Sequence, residues 1–363
     1  MGLIRRHPLT PAQLLEARLA NAEVVSDLME DGGRDLIPQL SLVHELSECM
    51  IREMHGAIIL PSARRRGRLA LSMRVPTLLL LVASFAAAQT PLRQRLVDLA
   101  KEAHGKVYVS CSLPGVKLDC DLDPHGHPPM QSTFKFPLAL AVLQQVELGK
   151  LQIDQPVRFR KSDRSATFSP LQDEFPDADV DVPLRKLIKL TIEASDNTAA
   201  DIQLRLIGGP AVLQHYLDSL GLSAIHQQDS EHALHRNQKL QYRNYAEPAA
   251  MVALLRLFAD HSPINQEHTA LLTRWMLETT SGPKRIKGLL PAGTPVVHKT
   301  GSSGVERGMI PATNDVGLIT LPDGRRLAMA VFVTDAHADQ SACEHVIAAI
   351  AKAVYDEALT KEI

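Results

Sequence analysis

The 363-residue sequence is poor in aromatic residues, at 4% with a single tryptophan, and carries almost no net charge, −2 at neutral pH. A nucleic-acid surface needs a lysine and arginine excess and aromatic faces for stacking, so nucleic acid is not an expected partner. Cysteine is scarce: Cys49, Cys111, Cys120 and Cys343. The last three follow the apolar stretch described below, and an odd number there argues against a full disulfide framework. There is no internal repeat and no long low-complexity tract. The longest apolar run, Val75 to Ala88, is too short to span a bilayer comfortably. What remains is an ordinary apolar content, 45%, in a chain long enough for one large domain or two small ones.

That apolar run has the form of an export signal. Arg64-Arg65-Arg66, Arg68 and Met73-Arg74 precede it, and Ala86-Ala87-Ala88 close it. A positive region, a short apolar region and small residues at the end make a secretory signal at 73–89, with 90–363 as the mature domain. Its distance from Met1 is explained if Met73 is the true start and 1–72 an over-extended reading frame or dispensable extension. The alternative is a genuine N-terminal segment, since Leu9 to Met29 looks helix-forming. Export implies a periplasmic or secreted location, which permits disulfides. Cys111 and Cys120 flank the turn Leu113-Pro114-Gly115 and can face each other across it, although separation alone does not set a bridge's geometry.

Periodicity predicts an amphipathic helix over Pro91–Ala103. Strands follow at Lys106–Ser112 and Val116–Asp121, and a buried helix over Ser132–Leu148. A proline-rich loop covers 150–182. Helices are expected near 184–194, 197–206, 210–219, 248–260, 267–279 and 340–358, and strands at 295–302, 314–321 and 326–334. Residues 221–247 lack periodicity and read as a long ordered loop. The expected fold is α+β: a five-stranded antiparallel sheet flanked by the terminal helices, an all-helical second lobe, and a cleft between.

Three short motifs occur in order: Ser132-Thr133-Phe134-Lys135, Ser195-Asp196-Asn197 and Lys299-Thr300-Gly301. Each is weak alone. A Ser-x-x-Lys match arises about once by chance in such a chain, and Ser281-Gly-Pro-Lys284 is a second one, spoiled as a helix start by its glycine and proline. Together, each in a suitable context, they are a strong signal. Ser132 and Lys135 lie one helical turn apart on one face, where a lysine can take the serine's proton if burial or nearby cations lower its pKa. Alone, Ser132 reads as a plain N-cap and Lys135 as a surface cation, yet Lys135 stands among Phe134, Phe136, Pro137 and Leu138. Ser195 can relay a proton to a leaving nitrogen. Asn197 can donate to a substrate carbonyl and help fix Lys135. Helix capping is the plain reading of that tripeptide. Lys299-Thr300-Gly301-Ser302 follows Val296-Val297 on a strand. Lys299 offers charge to a substrate carboxylate, Gly301 lets a substrate backbone lie close to the strand edge, and the N–H of Ser302 can join that of Ser132 around an oxyanion. A lysine-protected edge strand is the bland alternative.

From about Gln89 onward these residues resemble the class A serine β-lactamases, and Ile207-Gly-Gly-Pro210 resembles one of their helix junctions. The resemblance implies that Phe168, in Thr167-Phe168-Ser169-Pro170, is the aromatic wall of the cleft. It implies that Glu231, reached by counting back from Glu247-Pro248-Ala249-Ala250-Met251, activates the deacylating water. Glu231-His-Ala-Leu-His235 and Gln241-Tyr-Arg-Asn-Tyr245 resemble the extended-spectrum, cephalosporin-hydrolysing subgroup, with His235 where commoner members have asparagine. Those members clasp this loop with an Arg–Asp pair, at whose positions Asp229 and Asn244 stand. The usual arginine after Lys299 is not evident, and Arg285 lies where some members place a substitute that binds the substrate carboxylate. The metal reading of His226, His232, His235, Asp229 and Glu231 fits no standard spacing. The expectation is therefore a monomeric hydrolase without metal or cofactor, acting on small-molecule β-lactams and having no stable membrane association. A D,D-peptidase or a β-lactam sensor that stays acylated are the alternatives; neither needs Glu231.

Overall fold

A computed structural model describes residues 91–361. The proposed signal, the preceding extension, Cys49 and the helix expected at Leu9–Met29 lie outside the described residues. In chain order the elements are α1 (Leu92–Ala100), β1 (Lys106–Ser112), α2 (Lys135–Glu147), β2 (Pro156–Phe159), α3 (Pro170–Glu174), β3 (Val180–Pro183), α4 (Leu184–Glu193), α5 (Asn197–Ile207), α6 (Pro210–Ser219), β4 (Ile225–His226), α7 (Glu231–Arg236), β5 (Tyr245–Ala246), α8 (Pro248–Asp260), α9 (Gln266–Leu277), β6 (Val296–Ser302), β7 (Ile310–Thr320), β8 (Arg326–Ala336) and α10 (Gln340–Leu359).

The main sheet is antiparallel, in the order β1-β8-β7-β6. It has four strands and not five. Val116–Asp121 does not form a strand; the chain beyond the Pro114-Gly115 turn touches β1 only through isolated bridges, Leu113 with Val116 and Val109 with Leu122. β8 pairs with the inner side of β1, from Lys106 opposite Thr334 to Ser112 opposite Ala328, and the outer side of β1 is the edge of the sheet. The returning segment carries Asp119, Asp121 and Asp123-Pro124, which suit a solvated turn better than a ladder. A Cys111–Cys120 disulfide ties it down.

Helices cover both faces, as two distinct cores show. α1 and α10 pack on one face, bringing Leu96, Val346, Ile350 and Val354 against Val331 and Val333. α8 packs on the other, bringing Leu255 and Phe258 against Ala328, Ala330 and Phe332. With both faces covered, β7 and β8 have no solvent side and are buried at almost every position; β8 is largely apolar from Leu327 to Val333, while β7 also buries the polar run Thr313-Asn314-Asp315. The second lobe is built around α2, which is buried from Lys135 to Leu143 and touches α4, α5 and α6. It is not purely helical: β2 and β3 pair within the expected loop 150–182. The 221–247 segment is closed at its base by β4 and β5, with His226 opposite Tyr245, and holds α7 and a 3-10 turn over Gln238–Arg243.

Candidate active site

Four elements bring their side chains to one point. The turn Gln131–Phe134 is 3-10, and α2 begins at Lys135, so Ser132 lies just ahead of the α-helix. Ser195 sits in the α4–α5 junction at φ 59, a left-handed conformation that costs a serine energy and holds its side chain in the cleft. Lys299 comes from β6, and Glu231 is the first residue of α7.

Lys135 is fully buried and is the hub. Its Nζ donates to Ser132 Oγ at 2.9 Å and to Ser195 O at 2.8 Å. It also donates to Asn197 Oδ1 and lies 3.3 Å from Glu231 Oε1. Lys299, also fully buried, donates to Ser195 Oγ at 2.9 Å, and Lys135 reaches the same hydroxyl at 3.4 Å. Burial, and then the charge of Lys135, hold Lys299 well below the ordinary lysine pKa. The Ser195 hydroxyl thus stands between two ammonium groups.

The middle motif divides its labour. Asp196 is the helix cap: its buried carboxylate accepts from the N–H of Ala199 and of Leu171 and from Ser169 Oγ. Ser195 and Asn197 are left to face the cleft. Asn197 Nδ2 donates to Thr167 Oγ1 at 2.6 Å, which fixes the amide's orientation.

Gly301 serves a second purpose beside the expected one. The chain's own nucleophile turn lies close against it. A Cβ there would stand 2.5 Å from Met130 O and 3.2 Å from Ser132 N. Only glycine lets β6 press against that turn and bring the Ser302 backbone beside that of Ser132. Ser303 N donates toward β7, to Ala312 O, so strand alternation turns the Ser302 N–H to the open edge. Thr300 Oγ1 pairs with Ser281 Oγ at 2.7 Å.

Arg285 reaches the site from beneath. It is 4% exposed and donates to Gly301 O, Asn314 O and Ser302 Oγ, with Glu344 beside its Nε at 3.2 Å. Its guanidinium is committed to the strand end, and its reach toward any substrate passes through the Ser302 hydroxyl. His235 is exposed and lines the cleft, together with Ser132, Asn197, Glu231 and Ser302. Phe168 is 64% exposed and stands outside that lining, which Thr167 enters in its place. Its carbonyl accepts the Asn197 N–H at 3.2 Å.

Sequence reasoning missed two supports and placed a third, the loop clasp, without its partners. Asp201, one turn beyond Asn197 on α5, accepts the N–H of Glu231 at 2.8 Å and of His232 at 2.7 Å. Burial and the nearby Glu231 charge push its pKa up to about 7, against the lowering effect of those two N–H groups. The i, i+4 spacing from Asn197 is the signal that could have found it. Second, the loop is clasped without the usual pair: Asn244 Oδ1 accepts from the N–H of Gln228 and Asp229, while Arg243 lies 3.2 Å from the Asp229 carboxylate. Third, Gln131 donates to Gln241 and Gln241 to Glu306, strapping the nucleophile turn to both rims. As for the histidines, His226 and His127 both stack on the ring of Tyr245, at centroid distances of 5.2 and 4.3 Å. Among the described residues no group of three or more His, Cys, Asp or Glu is arranged to hold a metal ion.

Known proteins with the same arrangement fall in one group. The family described as "Beta-lactamase enzyme family" matches residues 91–358. The extended-spectrum beta-lactamase PER-1 of Pseudomonas aeruginosa is 37% identical over 288 residues, covering 78% of this chain and 94% of that protein. The crystal structure of the TLA-1 extended-spectrum beta-lactamase superposes with a TM-score of 0.72 at 38% identity, covering 74% of this chain and 98% of that one. A class A beta-lactamase structure from Bacteroides cellulosilyticus does so at 0.69 and 30%, covering 75% of this chain and all of that one. A shared helix-flanked sheet, a matched length and this degree of identity leave one assignment: the chain belongs to the beta-lactamase enzyme family, in its class A branch.

Proposed function

We propose that the chain hydrolyses the amide bond of penicillins and cephalosporins through an acyl-enzyme on Ser132, conferring antibiotic resistance. Ser132 Oγ attacks the lactam carbonyl carbon. Its proton leaves to Lys135, 2.9 Å away, or through a water to Glu231. The N–H groups of Ser132 and Ser302 receive the oxyanion, a contribution of typically about 3–4 kcal/mol for a single donor. As the ring opens, Ser195 Oγ gives its proton to the lactam nitrogen and is resupplied from Lys135 or Lys299, both within 3.4 Å. Lys299, Thr300 and Ser302 face the ring carboxylate, with Arg285 acting through the Ser302 hydroxyl. Asn197 donates to the carbonyl of the acyl arm, and His235 and Phe168 border that arm. Glu231 then takes a proton from water, which attacks the ester and frees Ser132.

The observation that carries this reading is one lysine nitrogen, Lys135 Nζ, within 3.3 Å of both the Ser132 hydroxyl and the Glu231 carboxylate. A peptidase or a sensor has no use for that buried carboxylate beside the nucleophile. The Cys111–Cys120 bridge supports export to an oxidising compartment, with 73–89 as the signal and 90–363 as the mature enzyme. Among the described residues no helix is long and apolar enough to cross a membrane. The test is turnover of a chromogenic cephalosporin by the purified protein, beside a peptidoglycan stem peptide. Sustained drug hydrolysis without peptide cleavage is expected. Peptide turnover with slow drug release would replace this reading with the peptidase.

A further inference from the structure

The mechanism leaves one buried ionisable pair unused. His298, on β6, and Asp315, on β7, are both wholly buried. His298 Nδ1 lies 2.8 and 3.0 Å from the two Asp315 oxygens. Asp315 Oδ2 also accepts the Ile286 N–H at 3.1 Å. The contact is built into the sheet. His298 stands opposite Gly317, and Asp315 is two positions from that glycine, so the two side chains meet on the diagonal of one face. A Cβ at position 317 would come within 2.7 Å of the His298 Cβ and 2.6 Å of Val297 O, so a side chain there would displace the histidine.

The charge of the pair follows from its unpaired end. His298 Nε2 is buried with no partner among the described residues. A ring protonated on both nitrogens would bury a charged N–H without an acceptor, so the ring carries one proton, on Nδ1, and donates it to Asp315. The pair keeps the negative charge of the carboxylate, and no described lysine or arginine lies within ion-pair distance of it. Lys299 follows His298 in β6 and points to the opposite face, into the cleft. Four charges act on its ammonium: Lys135 and Arg285 loosen its proton, while Asp315 and Glu231 hold it. Glu231 is already engaged by Lys135 at 3.3 Å, and Arg285 has Glu344 of α10 at 3.2 Å. Asp315 has no cation in contact, although its charge also reaches the partly buried Lys287. We propose that His298 and Asp315 form a positioning dyad for catalysis: the Asp315 carboxylate, aimed by the His298 ring, is the buried counter-charge that keeps Lys299 an ammonium for the Ser195 relay and the substrate carboxylate. This rests on the β-lactamase reading above and adds two residues to its machinery.

The experiment is the pH profile of kcat/KM for a chromogenic cephalosporin, which reports protonation in the free enzyme. Removing a nearby negative charge makes an ammonium lose its proton more easily. Asp315→Asn should therefore move the alkaline limb about one unit to lower pH, so that above it kcat/KM falls about tenfold below wild type. Asp315→Ser removes the same charge and answers the question should the amide variant not fold. Lys299→Arg should abolish the limb, because a guanidinium keeps its proton, and Asp315→Asn should then leave the profile unmoved. His298→Asn retains an N–H aimed at Asp315 and should keep the wild-type limb. Parallel profiles for Asp315→Asn and wild type, whatever the loss in rate, would reduce the dyad to a structural contact and leave the enzyme's activity standing. A shift that persists beside Lys299→Arg, or one as large in His298→Asn as in Asp315→Asn, would also overturn it. No hydrolysis by wild type at any pH would instead overturn the activity, and the dyad's role with it.

Discussion

Lys135 and Lys299 are wholly buried, one on a helix and one on a strand; Lys239 and Arg307 are exposed, and both stand on loops. The first pair is held by several oxygens each: Ser132, Ser195 and Asn197 surround Lys135, and Ser195 and Thr300 bind Lys299. The second pair has no partner among the described residues. The floor of the cleft is therefore preorganised, and its rim is adaptable. Buried ammonium groups on rigid elements keep their geometry through the reaction and need no reorganisation when charge develops. Exposed side chains on a turn and a loop can move to meet different substrates. Changes to the floor should collapse turnover, and changes to the rim should redistribute it among substrates.

The sharpest break between the two regions comes at Ser132. Ser132→Ala should lower kcat/KM on the order of 10⁶-fold and give no adduct by intact mass with any β-lactam. Next is Gly301→Ala, which removes no functional group. Its Cβ must push β6 off the Met130–Ser132 turn, so the Ser302 N–H shifts from its place beside Ser132. A displacement near 1 Å costs roughly 10²-fold in rate. The loss should fall on kcat for every substrate, read by steady-state kinetics; an effect confined to KM would say that the strand's approach is dispensable.

Asp201 tests the seam between floor and rim. Its folded pKa, about 7, lies above the ordinary aspartate value of 3.8. The folded state thus holds the proton more tightly than the unfolded chain, and stability declines as pH rises from about 4 to about 7, then levels off. The slope is at most roughly 1.4 kcal/mol per pH unit. Asp201→Asn lacks this dependence. In urea unfolding at pH 5 and 7.5, wild type should lose stability relative to the variant as pH rises, and parallel behaviour of the two would remove the titration from Asp201. The smallest effect is expected at Asn244→Ala, which frees the N–H groups of Gln228 and Asp229 while leaving the Arg243–Asp229 pair. It should loosen the loop and change KM severalfold for bulky substrates, with less effect on small ones.

The same division decides what could be read from the sequence. Helices at 210–219 and 248–260 and the strand at 106–112 follow from apolar periodicity and were legible to the residue. Ser132, Lys135, Ser195 and Lys299 were legible because reactive types at fixed spacing need neighbours of a fixed kind. Val116–Asp121 alternates like a strand, yet it meets the free edge of β1 only through isolated bridges, an outcome that no local pattern records. Gly301 was marked as a close approach, but the identity of the approaching group depends on how β6 meets a turn 170 residues earlier. Asp201, Asn244 and the Gln131–Gln241–Glu306 strap are ordinary polar residues whose partners are set by loop packing. Rim residues carry little periodic signal, so the least legible part of the chain is the part that distinguishes one substrate from another.

The most direct test is intact-mass spectrometry of Glu231→Gln mixed with a cephalosporin. Lys135 is 3.3 Å from Glu231 and 2.9 Å from Ser132, so the amide should leave the nucleophile in place and remove the base that activates water for the second step. A stoichiometric adduct on Ser132 that persists for minutes, with wild type clearing it, is the predicted result. Turnover by Glu231→Gln at the wild-type rate without an adduct would contradict the account.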